Sequence, residues 1–491
     1  MLNLYQFTHR TAEQLRVSLA KVSSPYLKFF VGLSKPRLKI KRKIVIPRNS
    51  AEPSEVWIYF NGSEEELKFQ RKLVFFIHGG GFISTNPECY EEVTFAWASE
   101  LNVPVVAINY KKAPEYPFPY ALYECRDLYL EIVKTNGAII GFEHSQPLTI
   151  AFAGDSAGGN LATSLIILLL TEHLDIPIPA GLVLVYPALD LNLTCWMTNE
   201  NMCLLRQESV RDVSDAVIDS KLNYEKRKSV LQPYSDNYSP RKSLVKIFQT
   251  PPPKEAEKCF SPTPRMKNAR TKLAMTSRVS FFQDRILSPE MLRAMVLLYV
   301  GPQNRPNFET DYLLCPLRAP TEVLAKFPKT YLLCGEKDAM VDDTVLLAGR
   351  IREAKRAALN RRQNLQMTSL SSSENDWIEI VLLRGVSHGF FQMAFILPEA
   401  KKAISKCRGW LKEILDDQSF ISPSFEDDDE PVEMKSSNSL LFPMGPTLPI
   451  SAMIPQNKEG HDTWERFVMQ ESDLLNRRRE GVMRGLQFTE S

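Results

Sequence analysis

Short runs of consecutive apolar residues, mostly β-branched or aromatic, recur along the middle of this chain, with stretches of helical periodicity between them. EVWIYF (55–60), KLVFFI (72–77), PVVAINY (104–110), LTIAFA (148–153), GLVLVY (181–186), TYLLC (330–334) and IEIVLL (378–383) read as strands. Helices fit near 120–134, 158–173, 341–358 and 398–416. The strands are apolar throughout rather than alternating, which is the pattern of strands covered on both faces. Strands alternating with helices predict an α/β fold, with a mostly parallel central sheet and helices on both faces. The most apolar run, Leu161–Leu170, is broken by Thr163 and Ser164 and is too short for a bilayer, so it reads as a buried helix.

The rhythm lapses in several places. Residues 1–46 carry ten Lys/Arg against one acid, Glu13, with Leu15, Leu19 and Val22 at helical spacing before Pro25. The segment 1–50 reads as a basic N-terminal cap or surface element. A lipid-binding amphipathic element and a transit peptide are the rival readings. Residues 225–275 hold twelve Lys/Arg, four acids and seven prolines, a composition that buries little. The expected organisation is therefore an α/β core over 51–221 and 281–417, interrupted by a basic, Pro-rich insert over 222–280 that is expected to be disordered. A linker and amphipathic tail follow over 418–491, with 462–485 patterned as a docking helix.

Composition narrows the partners. Across 491 residues, 60 Lys/Arg balance 58 Asp/Glu, and nothing in that balance calls for nucleic acid. The 8 cysteines form no C-x-x-C pair and no staple pattern, so free thiols in a reducing, cytoplasmic setting are expected. The start of the chain lacks the apolar core of a secretory signal, which leaves the sequons at Asn61, Asn192 and Asn237 unused.

Residues 154–158 read Gly-Asp-Ser-Ala-Gly. Five residues alone carry little weight, but LTIAFA ends just before them and NLATSLIILLL begins just after. That strand–turn–helix order is what a nucleophile elbow needs, with small residues flanking a serine in a tight turn. Ser156 is thus the candidate nucleophile, at a helix N-terminus that favours a developing anion. His78-Gly79-Gly80-Gly81 follows the strand KLVFFI, and its glycines can turn backbone N–H groups toward one point, as acyl transfer requires. Gly80 and Gly81 are the chosen loop donors, although the sequence alone does not say which two glycines face inward. Ala157 supplies the third N–H, and His78 is assigned a structural role.

A serine needs a base, and the base an orienting acid. Of 6 histidines, His78 belongs to the glycine loop, His9 lies in the tail and His144, His173 and His461 lack strand context, which leaves His388, just past IEIVLL with Gly389 beside it. Asp338 lies where TYLLC ends and is the preferred acid, with Asp342 as the alternative. The order serine, aspartate, histidine is that of the α/β hydrolases. No metal and no organic cofactor is expected.

HGGGF (78–82), NYKKAPEYPFP (109–119), GDSAGGNLA (154–162), the Asp338…Asp342 pair and SHGF (387–390) together resemble the hormone-sensitive lipase family of esterases and lipases. The likeness covers about 70–198 and 280–415. It implies the α/β-hydrolase fold with a helical cap, hydrolysis of acylglycerol, steryl or short-chain esters, Ser156, Asp338 and His388 as the triad, and Gly80, Gly81 and Ala157 as oxyanion donors. The insert resembles the regulatory insert of the family's larger eukaryotic lipases, a phosphorylation target. Here Ser229 follows Lys226-Arg227-Lys228 and Ser243 follows Arg241-Lys242, which reads either as a solvated basic loop with incidental serines or as sites for a basophilic protein kinase, and a peripheral lipid-droplet or membrane surface is a further candidate partner. The chain departs from the family at Asp338-Ala339-Met340, where Asp-Pro-Leu is common, and at Lys112, where an apolar residue is usual. A non-catalytic ligand-binding or lipid-surface protein on the same fold is the alternative. Loss of the triad histidine would mark the ligand receptors, and His388 is present.

Overall fold

A computed structural model describes residues 37–49, 51–172, 176–192, 277, 287, 289–366, 377–417 and 468–469. All of these except Asn192 belong to one compact unit, formed by residues 1–191 together with 276–491. The insert, the lipid-binding reading of the N-terminal residues before 37, Ser229 and Ser243 lie outside the described residues.

The elements run in the order β1 (Ile40–Arg48), β2 (Ala51–Phe60), α1 (Glu64–Lys68), β3 (Lys72–Ile77), α2 (Glu91–Leu101), β4 (Val105–Ile108), α3 (Tyr120–Lys134), β5 (Thr149–Asp155), α4 (Ala157–Thr171) and β6 (Gly181–Val185). They continue with α5 (Pro289–Val300), α6 (Thr321–Leu324), β7 (Lys329–Gly335), α7 (Val341–Gln366), β8 (Ile378–Leu383), α8 (Pro398–Asp416) and β9 (Val468–Met469). One nine-stranded sheet results, ordered β1-β2-β4-β3-β5-β6-β7-β8-β9. Strands β4, β3, β5, β6, β7 and β8 are mutually parallel, and β1, β2 and β9 add antiparallel pairings at the two sides. This is the mostly parallel α/β sheet the strand pattern predicts, in the α/β-hydrolase arrangement the resemblance implies.

The register levels the strand ends. Ile77 pairs with Gly154, Asp155 with Val185, Val185 with Leu333, and Gly335 with Leu383. The loops after β3, β5, β7 and β8 therefore leave the sheet side by side, at the carboxyl ends where such folds place their chemistry.

Helix α4 is buried continuously from Ala157 to Leu169, so it is apolar all round rather than amphipathic. Its few polar groups are satisfied. Thr163 donates to the Gly159 carbonyl (2.7 Å), Ser164 to Leu313 (2.8 Å), and Asn160 to Ala188 (2.7 Å) and Leu314 (3.1 Å). Helix α8 instead buries one stripe, Ala400, Ala403, Ile404, Cys407, Trp410, Leu411 and Ile414, at the spacing of a helix lying on a sheet. The indole of Trp97 on α2 donates to the Ile404 carbonyl (3.1 Å), joining two helices across that layer.

Several elements depart from the sequence expectation. Ile40–Arg48, read as part of a surface segment, is the outermost strand of the sheet. Its basic residues hid it. Lys41, Lys43 and Arg48 pair with Glu91, Glu55 and Asp127, which lets a charged strand form a sheet edge, and Pro47 sits at its register shift. Helix α2 was not read at all. Within the tail patterned as a docking helix, Val468–Met469 pair with β8 as a short strand.

Gly158 fixes how closely α4 sits on the sheet, because a Cβ there would lie 2.0 Å from the Ile77 carbonyl oxygen. Gly158→Ala is expected to push β3 and α4 apart and to cost about 1–3 kcal/mol. The expected readout is a lower urea midpoint. An unchanged midpoint would show that this approach is not what seats the helix.

Candidate active site

Ser156 stands alone between the last residue of β5 and the first of α4, with φ 51° and ψ −117°. A non-glycine residue with positive φ is strained and persists only where neighbours hold it. Here its N–H donates to the Val185 carbonyl (3.0 Å), and its own carbonyl accepts from Ala188 (3.1 Å) and Asn160 (3.1 Å). Bare backbone makes the turn possible: a Cβ on Gly154 would meet the Gly158 carbonyl oxygen at 2.5 Å.

The loop after β8 brings His388 to this serine. His388 Nε2 lies 2.9 Å from Ser156 Oγ, and Nδ1 lies 2.9 and 3.0 Å from the two Asp338 oxygens. Asp338 is fully buried and His388 nearly so. The acid and base loops are laced together. Lys337 N–H donates to the Val386 carbonyl (2.9 Å), and Glu336 N–H to Leu383 (2.7 Å). The Asp338 carboxylate also accepts from the Met340 N–H (2.7 Å), which fixes its rotamer. A histidine held this way presents one ring nitrogen to the hydroxyl and keeps a proton on the other.

Asp342, the alternative acid, faces elsewhere and accepts from the Ser277 N–H (3.0 Å). Its neighbour Asp343 accepts from the Leu189 and Asp190 N–H groups, both at 2.9 Å. These two carboxylates at the start of α7 hold backbone, while the carboxylate on the His388 ring belongs to Asp338.

In the glycine loop after β3 the three glycine N–H groups are not alike. Gly79 N–H donates to Asp155 Oδ1 (2.8 Å), so it is already engaged. The N–H groups of Gly80 and Gly81, in positive-φ turns of 109° and 62°, donate to no acceptor among the described residues. The Ala157 N–H is in the first turn of α4, where helix donors lack intrahelical partners. His78 is a structural residue. Its buried ring stacks on Tyr110 (centroids 4.4 Å apart) and its Nδ1 meets Thr85 Oγ1 (3.0 Å). Burial first, and then the Lys112 ammonium that lies over the Tyr110 ring, holds its pKa well below the ordinary value and keeps it neutral. Lys112, the departure from the family pattern, thus acts behind the glycine loop.

Helix α5 seats on the same loop. The Met295 thioether occupies the space a Cβ on Gly81 would need, and Tyr299 stacks on Phe82 with centroids 3.7 Å apart. This helix thus packs against the glycine loop, where the resemblance implies a helical cap.

Residues of the site that sequence reasoning passed over include Tyr186 and Asp155. Tyr186 has a positive φ of 38°, packs its ring 4.5 Å from the His388 ring and accepts from the Phe391 N–H (3.3 Å). Asp155 was noted only as a family mark. It is buried, and its two oxygens accept from Gly79 N–H and from Tyr90 Oη (2.8 Å). Burial pushes its carboxyl up to about 7, against the pull of those two donors.

A model of a family described as having the alpha/beta hydrolase fold matches residues 74–247 and 252–391, more than half of the chain. The chain belongs to that family. Among curated proteins it is similar to hormone-sensitive lipase of Bos taurus, 41% identical over 124 residues, which are 25% of this chain and 16% of the relative. It is also similar to neutral cholesterol ester hydrolase 1 of Mus musculus, 26% identical over 305 residues, or 60% of this chain and 66% of the relative. The chain therefore spans only a small part of the lipases it matches. A hyperthermophilic esterase from Pyrobaculum calidifontis shares the fold with a TM-score of 0.53 at 20% identity, over 83% of this chain and 93% of the other.

The state of Asp155 gives a pH test. Its folded pKa lies above its unfolded one, so between about 4 and about 7 the folded protein keeps a proton that the unfolded chain has released. Stability from this group is full at low pH and is lost as pH rises through about 7. The wild type is expected to lose, on the order of, a few kcal/mol relative to Asp155→Asn over that range. Denaturation curves at each pH measure it, and parallel profiles would mean that Asp155 stays ionised throughout.

Proposed function

We propose that this chain is a carboxylic ester hydrolase in which Ser156 is the nucleophile, His388 the general base and acid, and Asp338 the orienting carboxylate. The observation that carries the reading is the unbroken hydrogen-bonded line from Ser156 Oγ through the His388 ring to Asp338. His388 removes the serine proton as Oγ attacks the ester carbonyl. The oxyanion is held by the N–H groups of Gly80, Gly81 and Ala157, backbone dipoles fixed before substrate arrives. His388 returns the proton to the leaving alcohol, then activates the water that frees the acid from Ser156.

The substrate class proposed is hydrophobic esters: acylglycerols, steryl esters or short-chain esters. It is supported by the names of relatives, which include a lipase and a cholesterol ester hydrolase. The non-catalytic alternative is disfavoured by the complete Ser–His–Asp line. Three finer readings rest on sequence alone: a cytoplasmic location, contact of the basic N-terminus with a lipid-droplet or membrane surface, and a protein kinase acting at Ser229 or Ser243. Phosphopeptide mapping checks the kinase sites.

Ser156→Ala and Asp338→Asn are expected to lower kcat on p-nitrophenyl butyrate by about 10³-fold or more. Asp342→Asn is expected to keep kcat within a few fold while lowering the thermal midpoint, because it holds the Ser277 backbone. An active Ser156→Ala enzyme would sink the proposal, and a dead but folded Asp342→Asn would move the acid.

A chain starting at residue 37 spares β1 and tests the lipid reading. It is expected to lose flotation with anionic vesicles and keep soluble-ester hydrolysis. Full retention of flotation would remove the N-terminus from that role.

A further inference from the structure

One hydrogen-bonded line crosses beneath the site and touches three of its loops. It starts at Gln392, in the short 3₁₀ turn Phe390–Met393 just after His388. Gln392 Nε2 donates to Tyr90 Oη, Tyr90 Oη donates to Asp155 Oδ2 (2.8 Å), and Asp155 Oδ1 accepts from Gly79 N–H (2.8 Å). The donor and acceptor roles are consistent along its length, since a hydroxyl gives one proton and accepts another. The line therefore joins the loop of the base, the residue before the nucleophile and the residue before Gly80.

We infer that Tyr90 and Gln392 are positioning residues, which set the glycine loop relative to His388 through the Asp155 carboxylate. The inference rests on the triad reading above and adds to it a control on where Gly80 and Gly81 point their N–H groups. Three features of the site favour it. First, the path is buried at Tyr90 and Asp155, where a hydrogen bond is stronger and a lost one is costly. Second, the Gly79 N–H is the loop donor spent on this line, and the next two residues carry the free donors. Third, the Tyr90 ring is already packed by Phe76 (5.4 Å) and His78 (6.1 Å), so the hydroxyl is not needed merely to fill space. Burial keeps that hydroxyl un-ionised, as a donor must be. Without it, Asp155 Oδ2 is left in the interior lacking the donor it now has, and the carboxyl must rotate or take up a proton. Either response loosens its hold on Gly79.

Tyr90→Phe removes only the hydroxyl, and Gln392→Leu breaks the line at its half-buried end, where folding is least at risk. Steady-state kinetics on p-nitrophenyl butyrate and inhibition by an alkyl trifluoromethyl ketone, whose serine adduct bears an oxyanion, are measured for both variants and their double. Each single variant is expected to lose about tenfold in kcat, with KM within about twofold and inhibitor affinity falling in step. The double variant is expected to lose no more than the worse single one, because both act through one line. Far-UV circular dichroism and the thermal midpoint confirm the fold. Wild-type kcat and inhibitor affinity in both folded variants would overturn the inference, as would multiplied losses in the double variant. Ser156→Ala runs beside them: if it is inactive while Tyr90→Phe and Gln392→Leu are unimpaired, the triad stands and the positioning line falls.

Discussion

Helix α4 begins with its backbone pressed against the end of β3. Gly158 touches the Ile77 and His78 carbonyls so closely that no side chain fits between them. This approach places the N-terminus of α4 against the end of β3, where the glycine loop begins. It also forces the tight entry that gives Ser156 its positive φ. The rest of the sheet serves the same geometry. Parallel strands with level ends deliver the acid and base loops to the same edge, where their backbones hydrogen-bond to one another.

The energetic character of the site follows from what is buried there. Asp338, Asp155, Asp342 and Asp343 are all carboxyl groups with little or no exposure, yet each accepts backbone or side-chain donors. A buried carboxylate without such partners would be costly, whereas with them it fixes the loops that supply the donors. The site is thus built by using buried carboxyl groups to organise backbone, and among these four only Asp338 is aimed at the histidine.

Much of this was legible beforehand, for physical reasons. Strands β5 and β7 are buried almost throughout and β8 is apolar apart from Glu379, so they stand out as apolar runs, and Ser156, Asp338 and His388 could be placed just past the ends of β5, β7 and β8. Strand β1 was missed because an edge strand is half solvated and its lysines are paired by distant residues such as Glu91. Helix α2 has acids in its first turn and Asn102 in a left-handed conformation just past its end, but no side-chain cap, so its ends are only weakly marked in the sequence. The choice of Gly80 and Gly81 over Gly79 depends on a hydrogen bond to a residue 76 positions away, which no local pattern records. The relay through Tyr90 and Gln392 spans 302 positions and was invisible for the same reason.

The neighbouring carboxylates of Asp342 and Asp343 have a further consequence. Asp343 grips the chain at Leu189 and Asp190, shortly before it leaves the compact unit at 191, and Asp342 grips it at Ser277, just after it returns at 276. Departure and re-entry are thus clasped by adjacent residues on one helical turn. Closing a flexible loop twice as long between such fixed ends costs only about 0.6 kcal/mol more. The fold therefore carries a docking bay for added sequence. Both ends of that excursion are tied to the turn of α7 that follows the Asp338 loop.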